Sequence, residues 1–264
     1  MENKITSDKI KQHFKYDWFK YLAVLIACFF VFYVAYVWVG ALRIYERLDC
    51  FITCYAFYDQ DQFETDVVSY LDEDYSRVTG VKNSVKEVNT YTLPAHSSSW
   101  AETMVAYGHD IGTLIMVLPE SQMENWANWF FPLKKNAEDD PSGTYQKRVW
   151  NRMIPAELLD WYSNDENVYW SNEYVDGQGN VGASAVYALR VDNLPGIDRY
   201  FKFTLTEEEA FTAGIKDYQP EKYYLLVNYM NYNLGEYGKS EKYYAHSEGF
   251  GVVRYFLQRY GVQK

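Results

Sequence analysis

The chain has 264 residues, a formal net charge of −11 and three cysteines. With the five lysines and three acids of residues 1–20 set aside, 20 basic and 33 acidic residues remain, so there is no basic stripe for phosphates and nucleic acid is excluded as a partner. Three cysteines make no disulfide framework, so stability must come from a hydrophobic core.

Residues 1–20 carry Lys4, Lys9, Lys11, Lys15 and Lys20 and read as a cytoplasmic segment. Residues 21–42 contain no charge. At about 1.5 Å per residue they cover roughly 30 Å, the hydrocarbon thickness of a bilayer. Inside this run, Leu25-Ile26-Ala27-Cys28 resembles the lipobox at which bacterial lipoprotein precursors are cut and lipidated. The apolar run before Cys28 is short, a longer one from Phe29 to Leu42 follows, and cleavage would leave Phe29-Phe30-Val31-Phe32 where a polar tether is usual. A retained single-pass helix in the cell membrane is therefore expected, with lipidation of Cys28 as the alternative. The lysine excess puts the N-terminus inside and the remainder outside, with Arg43 and Arg47 as a weaker counterweight. Trp18, Tyr21, Tyr36 and Trp38 suit the two interfacial belts.

Beyond the span the pattern alternates. Leu48–Tyr55 reads as a buried strand and residues 61–75 as an amphipathic helix carrying Phe63, Val67, Val68 and Leu71. Ser84–Thr92 alternates as a second strand. Ser99-Trp100-Ala101-Glu102 has the form of a capping box opening the next helix. Asp110–Leu118 is a continuous apolar strand, as a parallel sheet covered on both faces requires. Pro119 ends it, and Ser121-Gln122-Met123-Glu124 has the form of a second capping box. Three strand–helix units in succession predict an α/β fold with a mainly parallel sheet. The polar run Lys134–Gly143 is the expected boundary between a first lobe, residues 43–134, and a second, residues 135–264. After it come a helix over Ile154–Tyr162, strands over Asn167–Val175 and Ala183–Val191, a short helix from Thr206, a strand over Glu221–Met230 and a helix over Ser240–Tyr260, with Gly249 and Gly251 as weak points.

Few motifs carry chemistry. Gly177, Gly179 and Gly182 spell G-x-G-x-x-G, but the segment that follows reads as a strand, which favours a hairpin loop over a dinucleotide site. The four histidines show no metal spacing, no nucleophile motif is present, and no cofactor is expected. Cys50 and Cys54 read as small buried hydrophobes. The 27 tyrosines and 8 tryptophans are the suggestive excess, because rings beside amides and carboxylates form pockets for polar solutes. Tyr223, Tyr224, Asn228, Tyr229, Asn231, Tyr232 and Asn233 make one such cluster.

The order strand, helix, strand, helix, then an apolar strand from Asp110-Ile111 to Pro119, a helix and Phe131-Pro132-Leu133 resembles the first lobe of bacterial extracellular solute-binding proteins, of the periplasmic-binding-protein type II class. Val186–Val191 resembles the strand that returns to the core after the lobe crossing. The likeness implies a binding protein, not an enzyme, with an abbreviated second lobe and a helix in place of a lipid anchor. It implies a ligand at the carboxyl ends of the parallel strands, near Tyr58, Asp59 and Asp61 after the first, His96 and Ser97 after the second, and Glu120 and Ser121 after the third. Asn228 and Tyr229 would face them from the second lobe. The expected function is capture of a small polar solute such as a sugar, or service as a transporter accessory. The alternative is an interaction module with a filled cleft that docks on a membrane protein.

Overall fold

The computed structural model describes residues 7–80, 82–108, 110, 112–126, 130, 132–171, 174–175, 181–182, 184–228, 231–234 and 247–262. The chain divides into two compact units, Met1–Arg43 and Ile44–Lys264.

The first unit is helix α1 (Ser7–Gly40), which starts well before the apolar run and takes in the lysine-rich segment. Its stretch Lys15–Trp38 has a mean hydropathy of 2.2 and none of it is buried. That length and composition suffice to cross a membrane, and they also fit a signal segment.

The second unit begins with β1 (Arg47–Ile52), β2 (Ala56–Phe57) and α2 (Gln60–Tyr70), which runs through a π-helical turn, Leu71–Tyr75, into α3 (Ser76–Thr79). There follow β3 (Glu87–Thr92), α4 (Trp100–Gly108), β4 (Thr113–Pro119), α5 (Met123–Trp126), β5 (Lys134–Lys135), α6 (Thr144–Arg148) and α7 (Trp150–Met153). The last part holds β6 (Val168–Ser171), β7 (Tyr174–Val175), β8 (Val181–Gly182), β9 (Ala185–Arg190), β10 (Phe201–Lys202), α8 (Glu207–Thr212), β11 (Tyr223–Val227) and α9 (Glu248–Gly261).

Among the described residues the main sheet has seven strands in the order β3-β1-β4-β11-β9-β5, with β6 also paired to β9. β1 pairs in parallel with β3 and β4, whereas β11 runs antiparallel to β4 and to β9, and β5 and β6 run antiparallel to β9. The sheet is therefore mixed: its first half is parallel as expected and its second half is not. Strands from both sides of residue 134 share this sheet, and the expected lobe boundary begins inside β5.

Side chains alternate across the sheet to fill two cores. Leu48, Cys50, Ile52, Val117, Leu225 and Val227 face the side covered by α2 and α9. Phe51, Met116, Leu118 and Leu226 face the side that holds Trp100 and Met104 of α4 and Met123 of α5. Every residue of β4 is buried, as its unbroken apolar run requires.

Local expectations fared unevenly. The Ile154–Tyr162 segment forms 3₁₀ turns at Ala156–Leu158 and Trp161–Ser163, not one α-helix. Ser99 directs its hydroxyl to that of Ser97 at 3.1 Å. A full capping box forms instead at Thr206, whose hydroxyl accepts from the Glu209 N–H while Glu209 accepts from the Thr206 N–H. β7 and β8 pair antiparallel on either side of the Gly-rich run, and the next element is the strand β9, so no helix N-terminus follows for a pyrophosphate. Gly249 and Gly251 are points of close approach in the first turn of α9. A Cβ at Gly249 would meet the Asn233 carbonyl oxygen at 2.8 Å, and one at Gly251 would meet Leu71 at 2.7 Å.

Candidate functional site

Three parallel strands end side by side, so the segments after β3, β1 and β4 converge on one edge of the sheet. Because β11 runs antiparallel to β4, with Tyr223 opposite Pro119, its entry loop reaches the same edge. Between these segments lies a cleft of about 300 Å³. Tyr55, His96, Trp100 and Tyr218 form its aromatic wall, and Ser121 and Glu221 are among its polar lining.

The wall is ordered by its own contacts. The Tyr55 ring stacks on His96, with centroids 5.3 Å apart and planes 24° apart, and meets the Tyr218 ring edge-on at 6.5 Å. The Tyr218 hydroxyl accepts the Leu205 N–H at 2.8 Å, which holds its ring beside Tyr55. Trp100 donates its indole N–H to the Thr53 hydroxyl at 3.2 Å, which fixes the ring against the end of β1. Burial, with Tyr218 beside it, pushes the Tyr55 phenol up to about 12. Burial raises Tyr223 as well, followed by the neighbouring Tyr55 and Tyr218. Both phenols stay neutral at pH 7 and offer hydrogen bonds in place of charge.

The charged groups are mainly acidic. Glu221 accepts the Ser121 N–H at 3.0 Å, so this first-turn donor is already satisfied by a carboxylate. Asp217 and Lys216 also line the cleft, and Asp217 holds a left-handed backbone at φ 53°, a conformation that costs energy in a non-glycine residue. Glu120 pairs with Lys222 at 3.3 Å beside the cleft.

Of the residues expected at the site, His96 and Ser121 line this cleft, and Glu120 lies next to it. Ser97 sits beside His96 but bonds Ser99. Tyr58 is exposed, with its N–H tied to the Tyr200 carbonyl, and Asp61 is a first-turn acid of α2. The Asp59 carboxylate is turned to α9, where it accepts from Arg259 at 2.8 Å and from the Tyr260 hydroxyl at 3.3 Å. Asn228 lies at the other edge of the sheet. It follows Val227, which is opposite Ile115, so it is about 17 Å along the strand from the cleft. There it is 1% exposed and donates to the Asp110 carbonyl, while Asn231 and Asn233 donate to the carbonyls of Gly112 and Tyr45. These amides tie backbone together and do not reach the cleft. Tyr229 lies outside the described residues. Tyr223 and Tyr224 belong to opposite faces of the sheet, so the Tyr/Asn run makes no single pocket.

Sequence reasoning missed Tyr55, Trp100, Tyr218 and Glu221. The aromatic excess pointed to the type of the first three, but the direction of β11 decides that residues 215–221 join the site. Cys50 and Cys54 are buried free thiols, and burial pushes Cys54 up to about 12, which keeps it protonated and unreactive. Among the described residues no three His, Cys, Asp or Glu side chains come together to hold a metal ion. Comparison of the chain with protein-family models, with curated proteins and with solved structures returned no match.

Proposed function

We propose that this chain is a single-pass membrane protein, N-terminus inside, whose outer domain captures a small polar solute at the carboxyl edge of its parallel strands. The observation that carries this is the cleft itself: neutral phenols and an indole beside carboxylates, at the edge where open α/β sheets bind ligands. Stacking faces with acidic acceptors suit a hydroxylated or amino-bearing solute, a sugar above all, and disfavour an anion. The lysines of residues 1–20 support the orientation, and the run Lys15–Trp38 supports the anchor. The order of the first three strand–helix units supports the likeness to solute-binding proteins.

A second reading draws on the shared sheet. Strands from both halves of the domain lie in it, so a separate lobe is not what would close over the cleft. This favours a module that docks on a membrane partner, such as a transporter subunit. Thermal unfolding of the full chain in detergent, screened against hexoses, pentoses and amino acids at about 10 mM, separates the two, since a ligand held only by the native state raises Tm. A rise with a sugar, lost in Tyr218→Ala, is the expected result. No rise across the panel would refute solute capture and leave docking.

A further inference from the structure

We propose that a second groove, separate from the cleft, binds a neutral oligosaccharide. It measures about 790 Å³ and runs between the end of α2, the Pro195–Tyr200 segment and the last turns of α9. The size falls within the usual range for ligand sites.

Arg259 is among its lining residues. Its Nε donates to Asp59 at 2.8 Å, and its Nη1 donates to Asp66 at 2.8 Å and to the Tyr255 hydroxyl at 2.7 Å. A guanidinium carries five N–H groups, and the two on Nη2 have no partner among the described residues. The side chain is only 21% exposed, so these donors sit fixed in the groove and cannot sweep through solvent.

Two tyrosine pairs flank this cation. Tyr70 and Tyr255 have centroids 5.0 Å apart, as do Tyr200 and Tyr260. The guanidinium lies 5.9 Å from the ring centroids of Tyr255 and Tyr260, which holds the pairs in register around it. Burial raises the phenols of Tyr70, Tyr255 and Tyr260, so their hydroxyls stay protonated. Gln258 and Arg199 also line the groove, and neither side chain bonds any described residue.

The ligand class follows from the balance of charge. Along the lining Arg199 and Arg259 face Asp74 and Glu157, while Asp59 and Asp66 already bond Arg259 and Arg77 pairs with Asp74 at 2.8 Å. No cation in the groove is left in excess to draw an anionic chain. Tyr260 is buried and backs the groove from the core, so the half-buried Tyr70, Tyr200 and Tyr255 supply the ring surface beside fixed donors and carboxylate acceptors, the complement of uncharged sugar rings. Half-buried tyrosines on both sides of one donor suit several linked rings better than a single one.

The test is titration calorimetry of the full chain in detergent with cellohexaose, maltohexaose and chitohexaose acetylated on nitrogen, and with hexagalacturonate as the anionic arm. The expected result is saturable binding of a neutral hexasaccharide, weakened roughly 3- to 10-fold by Gln258→Ala and by Arg199→Ala, each removing about one hydrogen bond. Neither substitution removes a hydrogen bond or ion pair to a described residue, and thermal unfolding of each variant separates lost binding from lost folding. No saturable binding of any neutral hexasaccharide up to about 10 mM overturns the proposal. So does tighter binding of hexagalacturonate, or binding indifferent to both substitutions. A chain that ignores all small solutes yet binds a hexasaccharide supports this groove while defeating the cleft.

Discussion

Gly251→Ala probes how closely α9 approaches the rest of the domain. A Cβ there would lie 2.7 Å from Leu71 Cδ2 and 2.9 Å from Tyr75 Cδ2 and Cγ, against an optimum of about 3.5–4.0 Å for carbon contacts. Leu71 is fully buried and has little room to withdraw. The Tyr75 ring is pinned through its hydroxyl, which donates to the Ser247 carbonyl at 2.9 Å and accepts from Arg152 at 3.2 Å. Overpacking of this kind costs about 1–3 kcal/mol, and breaking the buried tyrosine bond adds about 1–3 kcal/mol. Alanine's better helix propensity returns up to about 1 kcal/mol. The net expectation is a loss of about 1–6 kcal/mol, and at about 2–4 °C per kcal/mol a Tm lower by several degrees or more. Thermal unfolding measures it, and Tyr75→Phe supplies the second arm of a cycle. With the ring released, the added cost of Gly251→Ala should shrink, giving a coupling of about 0.5 kcal/mol or more. A Gly251→Ala chain as stable as the parent would refute the close packing, and so would strict additivity with Tyr75→Phe.

Three other outcomes follow from single contacts. Glu221→Ala removes the acceptor of the Ser121 N–H and should cost about 1 kcal/mol in denaturant unfolding; an unchanged midpoint would show that water replaces it freely. Glu209 is held down to about 2, first by Lys202 and then by the Thr206 N–H. Because this folded value lies below the unfolded one, its contribution is complete above about pH 4.5 and fades as pH falls toward 2. Glu209→Gln should flatten that limb of the stability–pH curve, and a curve identical to the parent's would count against the ion pair. Cys50 and Cys54 should resist maleimide until the domain unfolds, since both thiols are buried and raised; fast labelling in native conditions would mean that the sheet opens.

The parts of the fold legible in the sequence are those written in local pattern. The runs of β1, β3 and β4, the amphipathic α2 and the apolar stretch of α1 show by periodicity alone. Strand direction is not written that way. A buried strand such as Tyr223–Val227 reads the same whether it runs up or down, and its antiparallel course sends Asn228 away from Glu120 while bringing Tyr218 and Glu221 to His96. Two of the forecast site residues line the cleft because they follow parallel strands directly. Asp59 instead follows β2, which pairs antiparallel with β10, and a salt bridge to Arg259, 200 residues further along the chain, claims its carboxylate. Gly249 and Gly251 looked like helix breakers because propensity counts entropy alone, whereas here the absent Cβ is what lets α9 close on Asn233, Leu71 and Tyr75.

The measurement nearest to the central claim is the imidazole proton spectrum of the full chain in detergent during titration with whichever sugar or amino acid raises Tm most. His96 stacks on Tyr55 in the cleft, and His13 lies on α1 in the other unit. Capture of a solute predicts a saturable shift of the His96 resonance, assigned through His96→Asn, with His13 unmoved. A His96 resonance that stays still while Tm rises, or that no solute in the panel displaces, contradicts it.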